Sequence, residues 1–206
     1  MSSTCSCPAP DALTTIPQKM CDVNLKQIQR LAFQRTGNQF GTDATPANDI
    51  KVLADWQTLI TDTTDKKIVI TPLIASNPVI EAGDAITSGG GDNSTLNGVE
   101  ELDGTNPSKF STEFKGLSSE IEKAMKALKC ETGMTVYMFL QGGKIAVAKI
   151  DDNNQKGFEV QSLFVSDRNN AGFGTKDVHK LSFSLPAGWS EDLEIITPNF
   201  NPLVEL

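Results

Sequence analysis

The chain has 206 residues, of which 38% are apolar, and a formal net charge of −8 at pH 7. This length is enough for one large domain with a buried core. The negative charge argues against sequence-independent nucleic-acid binding, which needs clustered Lys and Arg, and against docking on an anionic membrane. No window approaches the run of about eighteen apolar residues that spans a bilayer, so we predict no membrane-spanning helix.

Residues 1–22 are rich in Pro, Ser, Thr and Cys and show no periodicity, which predicts an irregular N-terminal arm. Cys5, Cys7 and Cys21 fall in this arm, and Cys130 lies far from them. A structural zinc site needs a second Cys/His pair at short spacing, which is missing, so we predict no metal. We expect reduced thiols, although the sequence leaves the redox state open.

The next three segments predict a strand, a helix and a strand. Residues 24–35 fit both a helix and a strand, and we favour a strand. Residues 45–65 predict a short helix that begins near Pro46. Its apolar face is predicted to comprise Ile50, Leu53, Ala54 and Ile60. Residues 66–75 have the β-branched density of a buried strand, which Pro72 interrupts.

Residues 106–133 carry the strongest helical pattern in the chain. An apolar stripe at helical spacing comprises Phe110, Phe114, Leu117, Ile121, Met125 and Leu128. Ser119, followed three residues later by Glu122, is typical of a capping box, so the firm part of the helix is predicted to begin there. Gly133 is the expected end of the helix.

The remainder of the chain predicts an antiparallel meander. Residues 134–150 are two β runs joined by a Gly-Gly pair, which indicates a hairpin. Residues 157–167 and 178–186 predict two more strands, and Leu193–Ile196 a short last one. The fold class is therefore predicted to be mainly β with some α. We expect an antiparallel β-sandwich or barrel-like core, one packed amphipathic helix, a second short helix, long loops and an extended N-terminal arm.

This prediction divides the chain into an N-terminal arm, residues 1–22, and one domain, residues 23–206, with a long Gly-rich loop at residues 81–107. The loop lacks the Gly-Lys-Ser/Thr entry into a helix that a P-loop needs. It also lacks the parallel α/β context of a dinucleotide site, so no cofactor is predicted. Loops longer than about twelve residues are usually functional or disordered. If this loop becomes ordered in contacts with other copies of the same chain, that role would explain why a loop of this length is retained.

No catalytic group is predicted. The one histidine, His179, alternates with Leu181 and Phe183 along a predicted strand, which favours a structural role. No Gly-x-Ser-x-Gly elbow is present. The acidic cluster at residues 151–157 is out of register with an EF-hand, and turn chemistry accounts for it.

The order of elements resembles that of bacteriophage tail tube proteins. Three segments resemble virion proteins of phages and prophages of Bacteroidetes hosts: "CPAPDALTTIPQKMCDVNLKQIQRLAFQR", "GDAITSGGGDNSTLNG" and "LSFSLPAGWSEDLEIITPNFNPL". The resemblance implies a non-enzymatic structural subunit that self-assembles into stacked hexameric rings around a DNA conduit. It implies location in the virion, after synthesis in the host cytoplasm. Residues 1–18 lack both a basic n-region and an apolar h-region, so we expect no signal peptide. The expected partners are the chain itself and other virion proteins, with passing DNA touched only non-specifically and no membrane.

In that setting the glycine-rich loop is interpreted as an assembly loop, mobile in the free subunit and fixed in the polymer. Its predicted interface residues are Ser88, Gly89, Gly90, Gly91, Asp92, Asn93, Ser94 and Thr95. Further contacts are predicted at Asn169, Asn170, Gly172 and Gly174. The resemblance also implies contacts from the N-terminal arm and from residues 199–206.

Other functions stay open at this point. A capsid decoration or head–tail connector protein would have a similar sequence, and ring symmetry and strand order cannot be deduced. A non-catalytic carbohydrate- or cell-surface-binding module would need an exposed aromatic platform. Trp56 is expected to pack on the core, and Trp189 is expected to cover an edge of the sandwich. An enzyme with an acidic site, the last hypothesis, would need convergent carboxylates in a pocket.

Overall fold

The computed structural model describes Ile16, Leu25, residues 27–170 and residues 172–206. The N-terminal arm, including Cys5, Cys7 and Cys21, therefore lies outside the described residues. The strands are β1 (Ile28–Arg35), β2 (Phe40–Gly41), β3 (Val69–Ile70), β4 (Val79–Glu81), β5 (Ala85–Ser88), β6 (Glu101–Thr105), β7 (Ser108–Lys115), β8 (Met134–Leu140), β9 (Lys144–Lys149), β10 (Asn154–Lys156), β11 (Phe158–Val165), β12 (Val178–Leu185) and β13 (Leu193–Ile196). The helices are α1 (Leu53–Thr61) and α2 (Ser119–Ala127).

Every pairing among the described strands is antiparallel, and the ring that they form is closed by backbone hydrogen bonds of residues 71–75 to β1 and β7. β8 pairs with β1 on one edge and with β11 on the other. β11 continues to β12, β12 pairs with β7, and β7 with β4. The chain before β4 returns to β1, where Thr71 N donates to Leu31 O (2.9 Å) and Ile74 N donates to Gln29 O (2.8 Å). The fold is mainly β with some α, and its core is barrel-like, as predicted.

One strand belongs to two parts of the barrel. The first three residues of β11 pair with β8, and the last residues pair with β12. The register of the β12 pairing shifts between Gln161 and Phe164, where Ser162 adopts a φ of +53°. A bulge of this kind bends a strand and increases its twist, so β11 can turn from its pairing with β8 to its pairing with β12.

The interior of the barrel is aromatic and aliphatic. Alternate side chains of β8, namely Met134, Val136 and Met138, face it. From the opposite wall, Phe110 of β7 and Phe183 of β12 stack with ring centroids 4.5 Å apart. These positions alternate with exposed or half-buried residues along β7 and β12, as expected of strands with one face in the core.

A second core lies on the other face of β8. Tyr137 and Phe139 point into it, and α1 covers it with Trp56, whose ring lies 5.5 Å from that of Tyr137 and 5.4 Å from that of Phe139. The Trp56 Nε1–H donates to Ile50 O at 2.8 Å, which satisfies its buried polar atom. All seven residues of β8 are buried because both faces are covered. Trp56 packs on the core, as expected.

Two helix predictions need correction. The predicted helix over residues 106–133 is wrong in its first part, because Ser108–Lys115 form strand β7. Its buried residues recur at every second position, and pairing with β12 overrides the helical spacing. The predicted start near Pro46 is also wrong: α1 begins at Leu53, and the Thr45–Pro46 peptide is cis.

Other sequence predictions are confirmed. The ambiguous segment 24–35 forms strand β1 over Ile28–Arg35, although residues 24 and 26 lie outside the described residues. The Gly-Gly pair joins β8 to β9, and Leu193–Ile196 form β13, which pairs with β9. The prediction of a buried strand over residues 66–75 is wrong, because the segment contributes only the two-residue strand β3, in which Val69 is exposed and Ile70 half-buried.

Candidate assembly surfaces

The segment predicted as a long loop contains a β-hairpin. β5 and β6 pair with each other, from Ala85 opposite Thr105 to Ser88 opposite Glu101. At the base, Asn106 N donates to Asp84 O at 2.9 Å. We call residues 84–106 the hairpin arm. Among the described strands, its two strands pair only with one another, so the arm is not part of the barrel.

Glycine is required where the hairpin arm folds back on itself. Gly89 has a φ of +85°, and a Cβ there would lie 2.2 Å from Val99 O. An added side chain would therefore both strain the backbone and clash with the backbone of Val99, two residues before β6. The choice of glycine at this point follows from the turn geometry.

The predicted interface residues Ser88 to Thr95 occupy the end of β5 and the turn after it. The turn is held by local hydrogen bonds: Gly89 N donates to Ser94 Oγ at 3.0 Å, and Ser94 N donates to Asp92 Oδ1 at 2.9 Å. The Ser94 side chain also donates to Asp92, and these bonds lower the pKa of that carboxyl below its usual range. Asp92 therefore stays ionised at the tip of the arm.

The hairpin arm is both apolar and acidic. Leu96, Val99 and Leu102 are 82%, 58% and 70% exposed. Its carboxylates are Asp84, Asp92, Glu100, Glu101 and Asp103, and residues 84–106 contain no Lys or Arg. An exposed cluster of large apolar side chains of this kind is typical of an interaction surface.

The second predicted set lies in residues 168–177, which we call the Phe173 loop; the structure describes all of it except Ala171. Asn169 and Val178 exchange two backbone hydrogen bonds of 2.9 Å at its base. Gly172 N donates to the Asn170 side chain at 2.8 Å. Between the two predicted glycines stands Phe173, whose side chain is fully exposed.

Phe173 is the residue that the sequence analysis missed. The sequence does contain a signal for an exposed Phe173. This single aromatic stands between two glycines in a polar loop, where neither strand alternation nor helical spacing would place it in a core. A fully exposed phenylalanine presents a large apolar area to water, which makes it a candidate anchor for a partner.

The structure does not bring the two predicted sets together. The hairpin arm ends at Asn106, two residues before Ser108, the first residue of β7. The Phe173 loop ends at Asp177, next to Val178, which pairs with Lys115, the last residue of β7. At about 3.3 Å per residue, the length of β7 separates the two bases by roughly 23 Å.

An ionic cluster fixes α2 against the base of the Phe173 loop. Glu122 accepts from Lys126 Nζ at 2.7 Å and from Arg168 Nη2 at 3.0 Å. Lys126 also pairs with Asp167, and Arg168 Nη1 lies 3.4 Å from Asp177. The hydrogen bond from Lys126, followed by that from Arg168, lowers the pKa of Glu122 from its ordinary 4.5 to about 2.

His179 lies next to this cluster, inside the barrel. Its side chain is fully buried opposite Phe114, and its Nε2 lies 3.6 Å from Glu122 Oε2. Neither ring nitrogen makes a hydrogen bond to a described residue. The histidine faces the core, as the strand alternation predicts.

Trp189 does not form an exposed platform. Its indole packs edge-on against Phe158, with centroids 5.2 Å apart, and its Nε1–H donates to Ser108 Oγ at 3.2 Å. It is half-buried against the barrel core, in the covering position expected from the sequence. The observation gives no support to a glycan-binding platform at this tryptophan.

One cleft contains several carboxylates. A cavity of about 440 Å³ is lined in part by Asp43, Asp55 and Asp62. Asp55 Oδ2 accepts from Asp49 N at 2.6 Å, and Asp62 Oδ1 accepts from Thr64 N at 2.6 Å. The bonds to Thr64 also lower the pKa of Asp62, which disfavours it as a proton donor. Asp55 and Asp62 thus serve the turns at the two ends of α1, and Asp43 accepts a hydrogen bond from the side chain of Asn154.

Three further features of the described residues bear on function. They include no group of three His, Cys, Asp or Glu side chains placed to hold a metal ion. No helix among them is long and apolar enough to cross a membrane. Cys130 is exposed, and the C-terminal residues Phe200, Leu203 and Leu206 pack against the second core of their own subunit.

Comparison with protein families and with curated proteins finds no match. Among solved structures, the chain is similar to one from the virion of a native gene transfer agent particle. The identity is 13% and the TM-score 0.33, over 60% of this chain and 87% of that one. It is also similar to a chain from the tail of an empty gene transfer agent particle with C6 symmetry, at 10% identity and a TM-score of 0.31, over 59% of this chain and 80% of that one. At these TM-scores neither likeness assigns a fold or a function.

Proposed function

We propose that this protein is a structural subunit of a phage virion and, within that class, the tail tube protein, which assembles into stacked hexameric rings around a DNA conduit. The observation that carries the proposal is the hairpin arm. It pairs with no other described strand and leaves Leu96, Val99 and Leu102 in water. Apolar side chains on a projecting arm are stabilised when another subunit covers them.

Two properties of the chain support the same function. Residues 83–98, which include the tip of the arm, are among the segments that resemble phage virion proteins. The net charge of −8 suits a subunit around a DNA conduit, because an acidic lumen does not retain passing DNA. Its partners are then further copies of itself and other virion proteins, in the tail of the particle.

The test is negative-stain electron microscopy of the purified protein, together with its mass from light scattering. We expect rings of six subunits or hollow tubes. A stable monomer at every concentration would contradict self-assembly. A monomer or trimer that binds only to a preformed capsid would instead identify a decoration protein.

A further inference from the structure

The hairpin arm and the Phe173 loop have complementary surfaces. The arm carries five carboxylates without a cation, and no ion pair joins any of them to another described residue. Its exposed apolar side chains stand among these charges, with Val99 next to Glu100 and Leu102 next to Glu101 and Asp103. A matching partner surface would present an apolar anchor within a positive rim.

The Phe173 loop has this character. Lys176 extends its aliphatic stem over Gly116, where an added Cβ would lie 3.2 Å from its Cδ, and Lys115 lies beside it at the end of β7. Both lysines are exposed, and neither is in an ion pair with a described residue. By contrast, Asp177 is paired with Arg168, so the free charge around Phe173 is positive.

The loop is also held in place before any partner arrives. Arg168 at its start binds Glu122, Asp177 and the carbonyl oxygen of Leu117 (3.2 Å). Within the loop, Thr175 Oγ1 donates to Gly172 O at 3.0 Å. A preorganised loop loses less conformational entropy on binding, which favours its use as an anchor.

Within one copy, the bases of the two surfaces lie at opposite ends of β7, and no ion pair joins the described residues of one surface to those of the other. We propose that the hairpin arm of one copy docks on the Phe173 loop of a second copy, with Phe173 packed among Leu96, Val99 and Leu102 and the two lysines facing the acidic residues of the arm. This inference rests on the proposed self-assembly and specifies which surfaces meet.

The contact is head-to-tail, since one partner uses the arm and the other uses the loop. Each copy therefore keeps a free arm and a free loop after the first contact forms. Such heterologous contacts generate a closed ring when the rotation between copies closes, and a helical filament when it does not.

The first test removes the anchor. Phe173→Ser is compared with Phe164→Ser, a matched change at a phenylalanine that is 55% exposed on β11. We expect Phe173→Ser to raise the protein concentration needed for half assembly about thirtyfold, the effect of losing one anchor residue. Phe164→Ser should leave it near the wild-type value. Circular dichroism and thermal unfolding of the monomers should be unchanged by both.

The second test exchanges the charges. Glu100→Lys with Glu101→Lys should impair assembly, and so should Lys115→Glu with Lys176→Glu, because each places like charges across the contact. Combining all four changes restores opposite charges and should recover assembly. Lys144→Glu with Lys156→Glu, two exposed lysines on β9 and β10, is the matched control and should assemble normally.

The outcomes separate this inference from the function on which it rests. If wild-type protein assembles, and Phe173→Ser and the lysine reversal assemble equally well, the inference is overturned while self-assembly stands. If the fourfold exchange assembles no better than either half, the pairing of these two surfaces is overturned. If the wild-type protein itself stays monomeric, the proposed function fails and the inference fails with it.

Discussion

Glu122 connects three parts of the molecule. It lies on α2, it binds Arg168 from the start of the Phe173 loop, and it approaches His179 inside the barrel at 3.6 Å. Its pKa is lowered from 4.5 to about 2 because Lys126 and Arg168 stabilise the ionised form. A carboxyl whose pKa is lower in the folded state stabilises that state most at a pH above its ordinary pKa.

The pH dependence of stability should therefore report on this residue. The contribution of Glu122 is complete above about pH 4.5 and is lost as the pH falls to about 2. We expect Glu122→Gln to lower the melting temperature at pH 7 and to flatten its fall between pH 5 and pH 2, measured by circular dichroism.

Glu120→Gln is the matched control for that change. Glu120 lies in the same first turn of α2, is exposed and has no ion pair with a described residue. Its substitution should leave the shape of the profile as in wild type. Equal effects of the two substitutions would show that the cluster around Glu122 does not stabilise the fold.

Single residues differ in how far the sequence predicts them. The inward position of His179 follows from its alternation with Leu181 and Phe183. The contact between His179 and Glu122 cannot be predicted from the sequence, because it depends on how α2 docks on the barrel. Phe173 was missed because the phenylalanines of this chain mostly fit core stripes, whereas this one stands in a loop.

At the scale of the element, α2 shows how a boundary is decided. The sequence pairs Ser119 with Glu122 as a capping box, but the N-cap is Ser118, whose Oγ accepts from Ile121 N at 3.3 Å. The third helical residue is then Ile121, which cannot complete a capping box. The sequence predicted Ser119 as the N-cap because, of the two serines, only Ser119 has a Glu three residues after it.

The two serines can be distinguished by substitution. Ser118→Ala should lower the free energy of unfolding by about 1 kcal/mol, the usual effect of losing an N-cap side chain. Ser119→Ala should change it by less than about 0.5 kcal/mol, as expected of an exposed helical position. Urea denaturation of both variants measures the difference. A larger loss of unfolding free energy in Ser119→Ala than in Ser118→Ala would indicate that Ser119 is the N-cap.

Strands are predicted well where glycine or alternation marks them. β8 and β9 follow from the Gly-Gly pair between them, and β12 from its alternation. β7 was mistaken for a helix because Phe110 and Phe114 are four residues apart, a spacing that fits one face of a helix. The same spacing fits one face of a strand, on which Ser108 and Thr112 are also buried. β5 and β6 were missed because their residues are largely exposed, so no buried face leaves a pattern.

For the whole molecule, the ring of strands could not have been derived from the sequence. It depends on two crossings: β11 changes partner from β8 to β12, and the chain between β3 and β4 passes from β1 to β7. No short stretch of sequence indicates either crossing. Both depend on which strand edges remain unpaired after the other strands have formed the sheet. A barrel-like core was predicted, but not its strand order.

The hairpin arm can be shortened without touching this barrel. Deletion of residues 88–95 removes the turn at its tip, and none of these residues belongs to either core. We expect the variant to keep its circular dichroism spectrum and melting temperature and to lose assembly in electron microscopy and light scattering. Normal assembly of the deletion variant would contradict the role given to the arm. The predicted mobility of this segment in the free subunit stays a prediction.

The separation of the arm from the barrel also affects the order of events during synthesis. β5 and β6 are close together in the chain and can pair as soon as Thr105 is available, whereas β1 must wait for β8, which follows it about a hundred residues later. The pairing of the arm can therefore precede the barrel on a growing chain, at a stage without a finished Phe173 loop to receive a neighbour. Chains that are being translated from the same mRNA would carry acidic arms that repel each other. This repulsion would delay association until each subunit has folded.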